Sequence, residues 1–262
     1  LPKWLNINHP KLHIVKHIDF IPNEYLPTFN SPVIEMNIHR IEGLAEHFIY
    51  FNDDMFALKE MKKEDFFVNG LPCDTAIMNA ISYVPEGENE SFIQFNNAGV
   101  INRHFNKKQV LKSNFKEWFS LKYGKQLFRN ILLYSWPYFT GFYTCHIPTC
   151  MLVSTFKEVW EKEEKLLDKM CHNKFRSSNM INQWVVSEWQ MCSGKFYPRN
   201  PKFGLAYELT ENLETNKLER VNDEIHITLK YKPAQHEIFN DLVGKEFEMY
   251  LVAYGNDGTN AG

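Results

Sequence analysis

The chain has 262 residues, of which 44% are apolar and 15% aromatic, so it is long and apolar enough to bury a substantial core. The formal net charge of -3 excludes the global basic field of a nucleic-acid-binding protein. Five cysteines with no C-x-x-C pair argue against a disulfide framework and a zinc ribbon, and they favour a reducing cytoplasm. The opening residues show no signal-peptide pattern.

The first predicted elements are a strand and a helix separated by a proline-containing loop. Lys11–His17 alternates apolar and polar residues, which is typical of a short strand. Ser31 followed by Pro32 is typical of an N-cap and a first helical residue. The sequence therefore predicts a helix from there to about Gly43.

This helix is expected to have an apolar and a polar face. The apolar face carries Ile34, Ile38 and Ile41. Glu35 and His39 lie one turn apart on the polar face, which leaves them and Arg40 to contact a ligand. With Asn30 and Ser31 at its N-terminus, the helix suits an anion or a sugar hydroxyl, and Arg40 suits a phosphate. The alternative is a plain cap followed by solvated charges.

The next predicted element is a buried strand, His47–Phe51, followed by three polar residues. Asn52, Asp53 and Asp54 then stand at its carboxyl end, which is where α/β sheets bind ligands. Adjacent carboxylates at such a position can hold Mg²⁺ or Mn²⁺ against a diphosphate. The alternative is an ordinary Asn-Asp turn.

Strands and helices alternate further along the chain. A strand is predicted at Cys73–Ile81, a basic helix at Lys107–Tyr123, a helix with a Thr155/Glu158 capping box from Thr155 to about Cys171, and a helix closed by Gly194 at Met180–Ser193. This order predicts an α/β fold with a mostly parallel sheet flanked by helices. Residues 1–205 are expected to form the core domain. Residues 206–262 are poorly assigned, apart from an exposed strand at His226–Tyr231.

The stretch from Asn130 to Phe156 lacks Asp, Glu, Lys and Arg. Prolines and His146 interrupt it, so we interpret it as a buried strand and loop and not as a membrane span. His146 can serve as a general base for a sugar hydroxyl, or it can be a core histidine bonded to a carbonyl. Arg176, and the pair Arg103 and His104, can contact phosphate oxygens or can lie at ordinary surface turns.

Several of these segments together resemble the Stealth family of polysaccharide phosphotransferases. The resemblance rests on 26–31 (LPTFNS), 34–35, 39–41, 43–44 and 48–56 (FIYFNDDMF), and then on 139–143, 146–148, 155–160 and 175–176. It implies a nucleotide-sugar transferase-like fold. It also implies transfer of a hexose-1-phosphate from a UDP-sugar to a sugar hydroxyl with release of UMP, in bacterial capsular or cell-surface polysaccharide synthesis.

The resemblance also implies roles for particular residues. Asp53, Asp54, His146 and Arg176 would be catalytic, and Asp54 and Asp223 would bind Mg²⁺ or Mn²⁺. Substrate-binding residues would be Asn30, Ser31, Glu35, His39, Arg40, Asn52, Arg103 and His104. Three departures from the family pattern stand out. Its first conserved strand is not found, and Met180 occupies a position where the family commonly has Asp. Its later Ile-Asn-Asp motif is matched only by 221–223 (VND), and its fourth region is not recognisable.

Three functions remain open at this point: the phosphotransferase, a metal-dependent glycosyltransferase that transfers no phosphate, and a non-catalytic sugar-nucleotide-binding remnant. The expected partners are a UDP-sugar and a sugar or oligosaccharide acceptor, not nucleic acid. The expected location is the cytoplasm, with the inner face of the bacterial plasma membrane as an option. A membrane contact would involve Lys107–Lys125, whose lysines can equally form a solvated basic face.

Overall fold

The computed structural model describes residues 5–52, 55, 57, 60–82, 90–204, 216–221, 224–229 and 249–253. Within these residues the helices are α1 His17–Phe20, α2 Ser31–Asn37, α3 Glu90–His104, α4 Lys107–Ser113, α5 Phe115–Trp118, α6 Leu127–Leu133, α7 Val153–Lys162, α8 Glu164–Cys171 and α9 Trp184–Cys192. The 3₁₀ segments are Asn23–Tyr25, Ile38–Arg40, Lys63–Asp65, Leu121–Gln126 and Pro201–Phe203.

The strands of the described residues are short and form four small sheets. They are β1 Leu12–Lys16, β2 His47–Tyr50, β3 Phe67–Val68, β4 Leu71–Asp74, β5 Thr149–Leu152, β6 Tyr197–Pro198, β7 Asn216–Val221, β8 Glu224–Leu229 and β9 Met249–Ala253. β1 pairs with β9 and β4 with β6 in parallel, whereas β2 with β5, β3 with β4 and β7 with β8 pair antiparallel.

The predicted α/β class is confirmed at the level of mixed helices and strands. The described strands do not assemble into one mostly parallel sheet, because three of their five pairings are antiparallel. The predicted strand at 226–231 overlaps β8, Glu224–Leu229, and its last two residues lie outside the described residues. β9 pairs with β1, so part of the poorly assigned C-terminal segment adds to the first strand of the chain. The domain boundary near residue 205 stays a prediction.

One hydrophobic core connects most of the helices. α9 packs against α3, α7 and β5, and nearly all of its side chains are buried. The predicted helix at 180–193 is therefore confirmed with a later start, and Gly194, at a φ of 73°, ends it as predicted. On α9, Gln190 accepts a hydrogen bond from Leu152 N–H and donates one to the Cys150 carbonyl. Its amide thus satisfies the backbone of β5, which is buried along its whole length.

The helix at residue 31 begins one residue earlier than predicted and is shorter. Its N-cap is Asn30 and not Ser31, and the α-helical part stops at Asn37. The following turn, Ile38–Arg40, is a 3₁₀ helix, which has three residues per turn. Its side chains therefore point in other directions than they would in a continued α-helix. The predicted apolar face is confirmed, because all three isoleucines are buried.

Two other helix predictions are wrong in detail. The helix predicted from residue 155 to 171 is two helices, α7 and α8, and its N-cap is Leu152, so the Thr155/Glu158 capping box does not form. The Glu158 carboxylate instead accepts hydrogen bonds from Trp189 and Lys195. The basic helix predicted at 107–123 is divided into α4, α5 and a 3₁₀ segment, because Asn114 and Phe119 leave the helical region.

Candidate active site around Glu35

The pairing of β2 with β5 brings together two predicted site residues that are far apart in sequence. Tyr50 at the end of β2 lies opposite Thr149 at the start of β5. The residues just beyond these strand ends therefore meet, and the amide nitrogen of Asn52 lies 3.2 Å from His146 Nε2. His146 is exposed at this edge, so it is not the buried core histidine of the alternative interpretation.

A buried asparagine fastens the loop that carries Arg176 to the N-terminus of α2. The Asn30 amide donates hydrogen bonds to the carbonyls of Asn173 (2.9 Å) and Phe175 (3.2 Å). Phe29 N–H donates to Lys174 O, and the rings of Phe29 and Phe175 stack at 5.6 Å. As a result the Arg176 guanidinium donates a 2.7 Å hydrogen bond to the hydroxyl of Ser31.

Met180 fills the interior of this loop. Its side chain is fully buried, and its sulfur lies 3.3 Å from the Asn30 amide nitrogen and 3.2 Å from Ser177 N. The Ser177 N–H thus donates to the thioether, which is a weak acceptor, and the Asn30 amide, whose two N–H bonds go to carbonyls, packs against it. Met180, which stands where the family commonly has Asp, is therefore a buried packing residue. Arg176 still lies beside Ser31.

Glu35 lies one helical turn after Ser31 and is buried, which corrects the prediction of a ligand-facing carboxylate on a polar surface. Its Oε1 accepts a 3.4 Å hydrogen bond from the Tyr50 hydroxyl. Burial raises the pKa of Glu35 to about 7, whereas the Gln183 backbone amide, Arg176, Tyr50 and His146 act in the opposite direction. Gln183 precedes α9, so the carboxyl group also faces the positive end of that helix dipole.

We call Ser31, Glu35, Tyr50, His146 and Arg176 the Glu35 cluster. Glu35 Oε2 makes no hydrogen bond within the part of the chain that is described. A buried, unbonded carboxyl oxygen is costly, so its presence beside an exposed imidazole and an exposed guanidinium is typical of a functional site. The cluster offers a group that titrates near neutral pH, a second proton acceptor and a cation for an anionic substrate.

The structure places His39 and Arg40 away from these contacts. His39 Nδ1 lies 3.1 Å from the Met36 carbonyl, its ring stacks on Phe156, and burial lowers its pKa to about 4. Arg40 donates to Asn37 and lies over the Trp160 ring at 4.6 Å. Arg40 and Trp160 line a separate open cavity of about 370 Å³, together with Glu24, Tyr25, Glu164, Lys165 and Asp168.

Arg103 and His104 also make contacts of their own. Both bond to the carboxylate of Glu163, which is almost fully buried at the junction of α7 and α8. The ring of His104 also packs against Trp189 at 4.9 Å between centroids. These contacts give the pair a structural role in joining α3 to the α7–α8 junction. The predicted phosphate contact stays a prediction.

The predicted metal ligands Asp54 and Asp223 and the predicted catalytic residue Asp53 lie outside the described residues. Asp53 and Asp54 directly follow Asn52 in the sequence, and Asp223 falls between β7 and β8. Among the residues that are described, no group of three or more His, Cys, Asp or Glu side chains is arranged to hold a metal ion. The Glu35 cluster contains His146, which lies beside Asn52, and it also contains the unbonded oxygen Glu35 Oε2. An oxygen of this kind can bind a divalent cation, so the cluster is compatible with one.

Two residues that contact Glu35, Tyr50 and Gln183, were not predicted from the sequence. Tyr50 is part of a strand whose aromatic residues indicated only burial, yet its hydroxyl bonds to Glu35. Gln183 stands at the start of α9 and contributes its backbone amide. Tyr50 could have been identified from its position, because it lies in the same strand two residues before the candidate Asn52. The contact of Gln183 is made by its backbone, so no side-chain pattern in the sequence indicates it.

None of the described helices combines the length and apolar composition that crossing a bilayer requires. The stretch from 130 to 156 contains instead the buried strand β5 and the loop that carries His146, as predicted.

The described residues form a mixed α/β fold in which a buried carboxyl group, an imidazole and a guanidinium lie together in the Glu35 cluster. Comparison with known proteins narrows this class. The pattern for Stealth protein CR2, conserved region 2, matches residues 1–75. A capsular polysaccharide phosphotransferase WcwK of Streptococcus pneumoniae is 45% identical over 212 residues, which cover 81% of this chain and 63% of that protein.

Two further relatives are similar over more of their length. Another WcwK of Streptococcus pneumoniae is 40% identical over 86% of this chain and 70% of its own. The exopolysaccharide phosphotransferase cps2G of Lactiplantibacillus plantarum is 37% identical over 86% of this chain and 68% of its own. The chain belongs to the Stealth family, which confirms the resemblance drawn from its motifs. It spans 63% of the length of the first relative named.

Proposed function

We propose that this protein transfers a hexose-1-phosphate from a UDP-sugar to a sugar hydroxyl in the synthesis of a capsular or other cell-surface polysaccharide. The observation that carries the proposal is the Glu35 cluster, whose buried carboxyl group, imidazole and guanidinium lie together. The relatives are named as capsular polysaccharide or exopolysaccharide phosphotransferases, which supports the proposal. The alternatives are the glycosyltransferase without phosphate transfer and the non-catalytic remnant.

The residues of the cluster divide the reaction between them. The acceptor oxygen forms a bond to the sugar-linked phosphorus, the bond to the bridging oxygen of the diphosphate breaks, and UMP leaves. His146 accepts the proton of the acceptor hydroxyl. The carboxylate of Glu35 stabilises the resulting imidazolium through the interaction that already links the two groups. Arg176, oriented by Ser31, neutralises negative charge on the diphosphate. Phosphoryl transfer depends mainly on such charge stabilisation and on positioning of the reactants.

A divalent cation, Mg²⁺ or Mn²⁺, is part of this proposal. When bound, it would neutralise charge on the diphosphate. Asp54 and Asp223 are the proposed ligands, Asp53 is a proposed catalytic residue next to Asp54, and Asn52 would contact the donor. We further propose that the chain has a nucleotide-sugar transferase-like fold, and that it acts in the cytoplasm at the inner face of the bacterial plasma membrane.

The nucleotide product distinguishes the alternatives. Purified protein is incubated with UDP-GlcNAc or another UDP-hexose, Mg²⁺ and a panel of sugar acceptors, and the nucleotides are separated by ion-exchange chromatography. We expect acceptor-dependent UMP, strongly reduced in His146→Ala and in Asp54→Ala. UDP in place of UMP would identify a glycosyltransferase. No nucleotide release from folded protein with any donor would indicate the non-catalytic remnant.

A further inference from the structure

A stripe of exposed apolar side chains runs along α6. Phe128, Ile131 and Leu132 are spaced three and four residues apart, so they share one face of the helix. All three are more than half exposed, and Leu132 is 70% exposed. The opposite face contains Asn130, which is fully buried and bonds to the backbone of Ala76, Met78 and Trp118. The orientation of α6 is thus fixed from inside, and its apolar face is held outward.

The stripe continues on both sides of α6. Leu121, in the 3₁₀ segment packed against α6, is 87% exposed, and Tyr134 and Trp136 after the helix are each more than half exposed. The Lys107 ammonium group is buried and donates to the carbonyls of Leu133 and Trp136, so this loop is anchored. We call Leu121, Phe128, Ile131, Leu132, Tyr134 and Trp136 the exposed apolar surface.

Positive charge accompanies the exposed apolar surface. Lys122, Lys125 and Arg129 are interleaved with it, and the sequence contains no Asp or Glu between Glu117 and Glu158. Lys125 is exposed, whereas Lys122 and Arg129 lie over the rings of Tyr197 and Tyr143. Exposed patches of this kind mark interaction sites, and this one complements an apolar partner with anionic groups.

We infer that the exposed apolar surface docks this protein on an anionic lipid bilayer. Trp and Tyr favour the headgroup level of a membrane, aliphatic side chains favour the acyl boundary, and lysines attract anionic headgroups. A bound saccharide would contact the aromatic rings. It would not account for the exposed aliphatic side chains of Leu121, Ile131 and Leu132, which favour an apolar partner. The surface differs from the basic helix considered from the sequence, because the apolar residues of α6 supply the contact and the lysines assist it.

Vesicle cosedimentation tests the inference directly. The full chain is mixed with phosphatidylcholine vesicles and with vesicles of phosphatidylcholine and phosphatidylglycerol. We expect binding to the anionic vesicles that weakens as salt is raised. Leu132→Ser and Trp136→Ser should each weaken binding about tenfold, since each removes an apolar side chain from the contact. Lys125→Glu should weaken binding to anionic vesicles only.

A control variant distinguishes binding through this surface from non-specific binding of any exposed apolar side chain. Ile18 on α1 is also exposed, at 66%, so Ile18→Ser should bind vesicles as the parent does. Equal losses in Ile18→Ser and Leu132→Ser would overturn the inference. So would a folded parent protein that ignores both kinds of vesicle, or one that forms dimers lost in Trp136→Ser without binding lipid, because the surface would then be an interface between two copies. These outcomes do not depend on the transfer reaction.

Discussion

The raised pKa of Glu35 makes the folding stability of the protein depend on pH. The Glu35 carboxyl group is buried, and its pKa is raised to about 7. The unfolded chain releases this proton near pH 4.5, so between these two values the folded protein binds more protons than the unfolded one. Folding stability contributed by Glu35 therefore falls as pH rises from about 4.5 and is fully lost above about 7.

Glu35→Gln is expected to be more stable than the parent at alkaline pH and less active. Its advantage in free energy of unfolding should grow by roughly 2–3 kcal/mol between about pH 5 and pH 8, because glutamine has no proton to lose. Urea denaturation at both values measures this. Glu164→Gln, at an exposed position on α8, is the matched control and should show little pH-dependent difference. A constant difference for Glu35→Gln across this range would contradict the raised pKa.

Arg176→Lys is expected to lower kcat/KM for the UDP-sugar roughly 10–100-fold, because an ammonium group cannot reproduce the forked contact of a guanidinium. Since Arg176 is exposed, the thermal midpoint should hardly change. Arg129→Lys is the control, because Arg129 donates a hydrogen bond to Asn79 and lies over the Tyr143 ring, outside the Glu35 cluster. If Arg129→Lys lost as much activity as Arg176→Lys, a specific donor contact at Arg176 would be refuted.

At this scale the sequence predicted much of the site, because chemical type and position suffice to select a candidate. His146 and Arg176 were singled out as polar residues in informative surroundings, and both lie in the Glu35 cluster. Burial of Glu35 could not be predicted, since helical periodicity placed it on a polar face. It is buried because the loop after α8 and the start of α9 cover that face, and such long-range contacts leave no local pattern.

Among the elements, the loop that carries Arg176 depends most on a single side chain. Asn30→Ala removes both hydrogen bonds to the loop carbonyls and should cost roughly 2–3 kcal/mol of unfolding free energy. It should also reduce transfer activity under conditions where the variant is folded, because Arg176 loses its support. Denaturation curves and steady-state kinetics measure the two effects separately.

Asn106→Ala provides the matched comparison for this loop. Asn106 caps α4 through a hydrogen bond from Gln109 N–H, so its loss should cost about 1 kcal/mol. Activity should remain, because α4 takes no part in the Glu35 cluster. Full activity in folded Asn30→Ala would show that Arg176 is positioned without this residue.

Gly141 precedes β5 and has a φ of 137°, and its carbonyl accepts a hydrogen bond from Asn79 N–H. An added Cβ would strike the side chain of Ile81, so Gly141→Ala should destabilise the protein by roughly 1–3 kcal/mol. Gly99 inside α3 has open space around it, and Gly99→Ala should instead stabilise by roughly 0.5–1 kcal/mol. Thermal unfolding of both variants should give shifts of opposite sign, and shifts of the same sign would contradict the packing described here.

Element positions followed from the sequence better than element ends did. Proline, glycine and apolar periodicity located β1, α2 and α9, because these signals act within a few residues. The capping box predicted at Thr155 failed because Glu158 finds partners on α9 and after it, at Trp189 and Lys195. Tertiary hydrogen bonds of this kind override local caps and are invisible in a short window.

For the whole molecule, alternating strands and helices predicted an α/β class but not the strand pairing. β2 and β5 are separated by about a hundred residues and pair antiparallel, and β1 pairs with β9 near the other end of the chain. Pairing partners are chosen by the packing of the intervening helices, so strand order alone predicts a sheet without its register. The same packing brings Asn52 to His146 and thereby assembles the candidate site.

The transfer of phosphorus to the acceptor is the central claim, and ³¹P NMR of the complete reaction tests it most directly. Parent protein, UDP-hexose, Mg²⁺ and acceptor should give a new phosphodiester resonance that grows as UMP appears, and His146→Ala should give neither. A product without phosphorus, formed while UDP accumulates, would contradict the account and indicate transfer of the sugar alone.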